Sequence, residues 1–282
     1  MDRTRLGITA FLRSGMGVED WIELAQELGL GWLELRADPG LAHPEDLSPQ
    51  GRKRLKKRLA DAGLRVSLHA PIQGVNLVSP NRRLAAAALA EHVATIELAP
   101  ELGAELVVFH PGGLPGEHAR LPGAYERAWQ RLGFVLDVLV PEAAARGVRL
   151  AIENKQAGAG RDLILTPEEH LRALEGRPQL GACLDFGHLN TLRGDPAPFV
   201  SALGERLVHV HLHDNQGERD EHLGLGQGTV PWQAALLALA TAGYRGAVIL
   251  EIPDPDQLRD SVARVCSFRP PGGGGDAGKA MA

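Results

Sequence analysis

Aromatic side chains are scarce in this chain, at 4% of 282 residues, and no run approaches the ~20 consecutive apolar residues that a bilayer-spanning helix needs. The first shortage leaves little material for the stacking surfaces on which single-stranded nucleic acid or flipped bases are held. The second argues against a membrane protein. Basic charge is in deficit too: 30 Lys and Arg against 35 Asp and Glu give a net charge of -5. Nucleic acid therefore feels no general attraction, and a DNA contact would need a local basic surface. Cysteine occurs only at Cys183 and Cys266, which builds neither a disulfide framework nor a CxxC metal knuckle. Cys183 lies in an apolar run and reads as a buried, inert thiol. The N-terminal MDRTRLGITAFLRSG holds no long apolar segment followed by a small-residue cleavage site, so a cytoplasmic protein is expected. GLGQG, at 224–228, follows a loop and lacks GxGxxG spacing, which removes the dinucleotide-binding reading.

What the chain does have is a repeated unit: a short apolar run, a loop, then a longer stretch of helical periodicity. Eight such runs occur, LGIT (6–9), GWLEL (31–35), RVSLH (65–69), ELVVFH (105–110), VRLAIE (148–153), LGACLD (180–185), LVHVHL (207–212) and AVILE (247–251). Gly29, Gly63, Gly103, Gly147 and Gly243 stand where helices should end just before the next run, as C-cap glycines do. Strands apolar on both faces and alternating with helices mean parallel βα units; eight of them match a single closed (β/α)8 barrel, an α/β fold. A doubly wound open sheet is the competing arrangement. Residues 1–268 are assigned to the barrel and the Gly/Pro-rich 269–282 to a flexible tail. The basic run RKRLKKR, at helical spacing, is expected to paint the solvated face of one outer helix.

A barrel keeps its chemistry at the C-terminal ends of its strands. Six of the runs deliver a His, Asp or Glu there: His69, His110, Glu153, Asp185, His211 and Glu251. A lone histidine at a strand end is more often structural than a ligand, so the case rests on the set. Unpaired charges are costly to gather at one rim without a counter-ion, and a divalent cation supplies one. Glu153, Asp185, His211 and Glu251 form a three-carboxylate, one-imidazole group suited to manganese, zinc or cobalt in a Lewis-acid role. His209, His211 and His213 share one face of a strand at period two, so all three point into the barrel or all away. His211 falls at the rim, His209 reads as a core histidine, and His213 is undecided. Asp220 and His222, two apart in a loop, can bend to one ion, with His188 as a third ligand, or can be part of a self-satisfied polar loop.

HAPIQGVNLVSPNRR, ELVVFHPGG, LAIEN, CLDFGHLN, VHLHDN with DEHLGLGQG, and VILEIP together resemble the xylose isomerase-like TIM-barrel superfamily, in order from about residue 6 to 266. That superfamily includes sugar isomerases and epimerases and the type IV apurinic endonucleases. By resemblance to the endonuclease branch, a three-zinc cluster would be held by His69, His110, Glu153, Asp185, His188, His211, Asp220, His222 and Glu251. Glu153 would bridge two ions, Asp185, His211 and Glu251 would complete one site, and His188, Asp220 and His222 would hold the third ion. The chain departs from that branch at Ile72 and Gln73, where an aromatic and a leucine would wedge into DNA. LELR, with Glu34 and Arg36 at the end of the second strand, is closer to the sugar-isomerase members. In the epimerase members the matching metal set is Glu153, Asp185, His211 and Glu251, the two glutamates act as acid and base, and His188 would bind a sugar hydroxyl.

The expected function is a divalent-metal-dependent isomerase or epimerase of a small sugar or sugar phosphate, with one zinc or manganese ion favoured and up to three accommodated. Lys155 and Arg36 are candidates for contacting a phosphate or hydroxyl. An abasic-site endonuclease is the alternative, and a metal-holding protein without turnover the third. The expected partner is a small-molecule sugar, with nucleic acid disfavoured.

Overall fold

A computed structural model describes residues 2–12 and 15–269. The eight apolar runs become β1 (Leu6–Thr9), β2 (Trp32–Arg36), β3 (Arg65–His69), β4 (Ala104–Phe109), β5 (Arg149–Glu153), β6 (Leu180–Asp185), β7 (Leu207–Leu212) and β8 (Ala247–Leu250). They pair in sequence order, every pair parallel, and β8 closes on β1 to complete the barrel. Strands of this kind are buried on both faces, against the interior residues and against the helical shell. Two expected strand ends shift by one residue: His110 and Glu251 lie just past β4 and β8. Their side chains still reach the mouth.

The helices between strands are α1 (Val18–Glu27), α2 (Pro49–Asp61), α3 (Arg82–Leu102), α4 (Ala124–Ala145), α5 (Pro167–Leu174), α6 (Phe186–Thr191), α7 (Pro196–Leu203), α8 (Trp232–Thr241) and α9 (Pro255–Ser267). Gly103 caps α3 in the left-handed region at φ 76°, a conformation that costs a side chain with a Cβ but not glycine. The other four expected cap glycines also have positive φ. On α2, Lys53, Arg54, Lys56 and Lys57 are exposed while Leu59 is buried, so RKRLKKR is a solvated helix face. Among the described residues no helix is long and apolar enough to cross a membrane. Of the expected Gly/Pro-rich tail, all but Arg269 lies outside the described residues.

Three local features set up the mouth. The pairing of β6 with β7 shifts register between Ala182 and Cys183, after which Asp185 stands opposite His211. Beyond β6 the chain turns at once into α6, with Asp185 as N-cap: its Oδ1 accepts from the His188 amide at 2.8 Å. The Asn154 side chain clasps the main chain of Asp185 at 2.7 and 3.0 Å, locking the ends of β5 and β6 together.

Candidate metal centre

Glu153, at the end of β5, lies at the centre of the mouth and is 1% exposed. Its two oxygens face different neighbours. Oε1 lies 2.9 Å from His211 Nδ1, while Oε2 lies 2.9 Å from His110 Nε2 and 3.2 Å from His69 Nε2. On the His211 side, Asp185 Oδ2 is 4.0 Å and Glu251 Oε1 is 3.7 Å from the same Nδ1. Glu153, Asp185 and Glu251, at the C-terminal ends of three strands, thus lie within 4.0 Å of Nδ1 of His211 on a fourth. The His69, His110 and Glu153 ligand atoms form a second group of metal-ligand dimensions.

Above them lies the loop after β7. Asp214 organises it: its carboxylate accepts from the amides of Asn215, Gly226 and Val230 at 2.9, 2.7 and 2.9 Å. A two-way main-chain bridge between Asp214 and Leu223 closes its base. Asn215 ties it to α6 through the Gly187 carbonyl at 2.8 Å. With the loop's own polar groups satisfied in this way, Asp220 and His222 are free to turn inward. His222 adopts φ 53°, a left-handed conformation uncommon for a residue with a Cβ and typical of functional sites. Asp220 Oδ2 is 3.1 Å from His222 Nε2 and 3.4 Å from His188 Nε2; its Oδ1 is 3.2 Å from His213 Nε2.

All three alternate histidines of the β7 segment point into the barrel. His209 is a core residue, as expected, and bonds Glu34 at 2.9 Å. His213 is fully buried, its ring stacked on His222 at 4.1 Å between centroids. It fits only because residue 187 is glycine: a Cβ there would lie 1.9 Å from the ring. Glu34, near the end of β2, lies beneath the rim, fully buried, held by the hydroxyls of Ser67 and Thr9 at 2.9 and 3.2 Å and lying 3.1 Å from His211 Nε2. A lone acid inside the apolar run WLEL was the available signal for it. For His213 the signal was the alternation HVHLH, which left in or out undecided until the neighbours were known.

Lys155 and Arg36 both border the mouth, a cavity of about 400 Å³. Lys155 is buried, with Nζ 3.2 Å from His110 Nδ1. Arg36 makes two hydrogen bonds to Asp38, at 2.7 and 3.0 Å. Asp38 also accepts the Ile72 and Gln73 amides, which anchors the loop after β3.

Electrostatics at the mouth run against burial. Burial on its own would raise the acids and lower the imidazoles. Instead Glu153, Asp185 and Asp220 are held below the usual carboxylate range by the facing imidazoles. Despite burial, the carboxylates of Asp185 and Asp220 push His188 up to about 9 and His213 to about 10. His110 is pushed down by burial and by the Lys155 ammonium. Several atoms here, Asp185 Oδ2, Asp220 Oδ1, His211 Nε2 and His213 Nε2, are buried and aligned with no hydrogen-bond partner although other site atoms stand 3.1–3.3 Å away. Lone pairs aimed at shared space rather than at each other suit a cation. The residues present thus fit one divalent ion at Glu153, Asp185, His211 and Glu251, with further ligands around it.

The sequence profile of the xylose isomerase-like TIM barrel family matches residues 22–268. An uncharacterized protein of Methanocaldococcus jannaschii is 34% identical over 222 residues, covering 77% of this chain and 73% of its own. The crystal structure of a D-tagatose 3-epimerase-like protein superposes with a TM-score of 0.81 at 27% identity, covering 93% of this chain and 95% of that one. A Thermus thermophilus protein solved after soaking with zinc chloride has a TM-score of 0.73 at 27% identity, over 94% and 99% of the two chains.

Proposed function

The chain belongs to the xylose isomerase-like TIM-barrel family, and from that premise we propose that it is a divalent-cation-dependent isomerase or epimerase of a small sugar or sugar phosphate. The observation that carries this reading is the convergence of Glu153, Asp185 and Glu251 within 2.9–4.0 Å of one atom, His211 Nδ1. Three carboxylates and one imidazole suit zinc or manganese, with cobalt as a substitute. Bound there, the cation supplies Lewis-acid stabilisation of negative charge on substrate oxygens. The likeness to a D-tagatose 3-epimerase-like protein supports a sugar as the substrate.

The protein's own groups then do the proton chemistry. Glu153 and Glu251 stand on β5 and just after β8, on well-separated parts of the barrel wall. One takes the proton from the carbon beside the carbonyl and the other returns a proton. Glu153, held ionised by its imidazole neighbours, is in the state a base requires. Lys155 and Arg36 line the cavity where a hydroxyl or phosphate of the substrate would project. The Asp38 bond orients the Arg36 fork.

A second reading, an abasic-site endonuclease, is favoured by one observation: the nine positions matching that branch gather around one mouth. Against it, Ile72 and Gln73 border the cavity in place of a wedging aromatic. The test is solvent deuterium incorporation beside the carbonyl of ketohexoses and ketopentoses, free and phosphorylated, followed by NMR on manganese-loaded protein. A parallel assay follows nicking of an abasic-site duplex. Exchange without nicking is expected; nicking without exchange overturns the isomerase reading. Neither activity, with cation bound, moves the protein to the non-catalytic metal-binding class.

A further inference from the structure

His69 and His110 stand side by side against Glu153 Oε2, at 3.2 and 2.9 Å, yet their rings are held differently. His69 Nδ1 lies 2.8 Å from the Ala70 carbonyl, which only accepts, so that nitrogen carries a proton. What lies against His110 is a cation instead: Lys155 Nζ, 3.2 Å from Nδ1 and 3.5 Å from Nε2. An ammonium has no lone pair, so the ring nitrogen nearer to it keeps its own, and the single proton of a neutral His110 belongs on Nε2. There Glu153 Oε2 accepts it at 2.9 Å. Burial and the ammonium both favour the neutral ring. The Lys155 amide bonds the Ile164 carbonyl at 2.9 Å, and its side chain is buried. Buried lysines are normally paired with a carboxylate; among the described residues none is in ion-pair contact with Lys155, whose partner is His110.

We propose that the Lys155 ammonium takes the place of a second metal ion: it fixes His110 as a hydrogen-bond donor to Glu153 and keeps the His69, His110 and Glu153 group free of metal. The proposal rests on the reading of Glu153, Asp185, His211 and Glu251 as the reaction centre, and it makes Glu153 a ligand through Oε1 alone. The dimensions of the His69, His110 and Glu153 group suit an ion, so what excludes one is electrostatic. A zinc on His110 would sit about 2.1 Å from Nε2. Lys155 Nζ is 3.5 Å from that atom, which puts ion and ammonium at most about 5.6 Å apart, like charges in a buried pocket where screening is weak. Binding would also require the Nε2 proton to leave or to move to Nδ1, beside the ammonium. The resemblance to the endonuclease branch gives His69 and His110 to a cation, and Lys155 removes that role from both. They become positioning residues that hold Glu153 Oε2, leaving Oε1 turned to the His211 side.

Metal counts on the full chain test this. Each protein is stripped of metal, equilibrated with a small excess of zinc alone and counted by native mass spectrometry. Lys155→Met, which keeps the apolar stem but not the charge, should hold about one more zinc per chain than the unaltered protein. Adding His110→Asn to Lys155→Met should take that extra ion away, and Lys155→Arg, which restores the charge, should count as the unaltered protein does. A lysine with a merely structural role would not raise the metal count when removed. In the unaltered background His110→Asn should leave the count unchanged, a comparison that stands even if Lys155→Met destabilises the mouth. Nitrogen NMR of the zinc-loaded unaltered protein should find the His110 proton on Nε2. A count that falls in His110→Asn, a His110 Nε2 without its proton, or equal counts in Lys155→Met and the unaltered protein each overturn the proposal. The counts are compared between chains and need no turnover, so failure of the reaction centre to bind zinc, or of the isomerase reading, is seen separately.

Discussion

Two pairs of histidines, equally buried, have opposite electrostatics. His92 on α3 and His170 on α5 lie in the shell between strands and helices, edge-on to Phe109 and Phe199. Each ring bonds a main-chain carbonyl, of Ala88 at 2.7 Å and of Ile152 at 2.9 Å, and burial pushes both down to about 4. His188 and His213 at the barrel mouth are no more exposed, but carboxylates drive them up to about 9 and about 10. Burial is common to both pairs, so it cannot be what marks a functional histidine. The carboxylates decide: where they gather, an imidazole must share their charge with a proton or with a cation.

The largest effect that tests this contrast is the pH dependence of the metal-free chain. His92 and His170 have folded values below the ordinary 6.5, so the unfolded chain binds more protons as pH falls from 6.5 towards 4, and stability is lost across that window. A shift of this size corresponds to on the order of 3 kcal/mol for each ring. His188 and His213 behave in the reverse sense. Their contribution is complete below pH 6.5 and is lost as pH rises through about 9 and about 10. Thermal unfolding across this range should show both arms, and zinc should flatten only the alkaline one. If zinc leaves the alkaline arm unchanged, the mouth histidines do not exchange protons for a cation.

Next in size is Glu153→Gln. This change keeps the shape but removes the charge that His69, His110 and His211 share, and calorimetric titration should show cation affinity lower by more than about 100-fold. Affinity within a few-fold of the parent would show that Glu153 is not a ligand. The smallest effect is expected from Glu34→Gln on the floor. Since Glu34 lies against His211 Nε2, opposite the Nδ1 that faces the acids, its loss should weaken the cation by about 10- to 100-fold. Excess cation should restore activity, and unchanged affinity would reduce Glu34 to a packing role.

The barrel was legible in the sequence because parallel strands buried on both faces leave unbroken apolar runs, and because glycines mark the helix ends. The convergence of Glu153, Asp185, His211 and Glu251 was legible for a related reason: strand ends of a barrel meet at one rim, so a list of terminal residues approximates a list of neighbours. Loops lack that property. Nothing in DNQGERDEH announces that Asp214 staples the loop through three amides, leaving Asp220 and His222 to face inward. His213 could not be oriented by period two alone, since the face occupied by β7 depends on its register with β6. LELR put Glu34 near the end of β2 without a depth, which is fixed only by its register with Thr9 and Ser67 on the neighbouring strands.

The register shift between Ala182 and Cys183 has a consequence for how the chain folds. It sets Asp185 opposite His211, and with it the inward alignment of His209, His211 and His213. A slip of one residue in β7 would turn all three imidazoles out toward the helices. A chain slipped in this way would present no imidazole of β7 to an ion at the mouth. A cation bound at the mouth would therefore favour the one register of β7 that turns His211 inward.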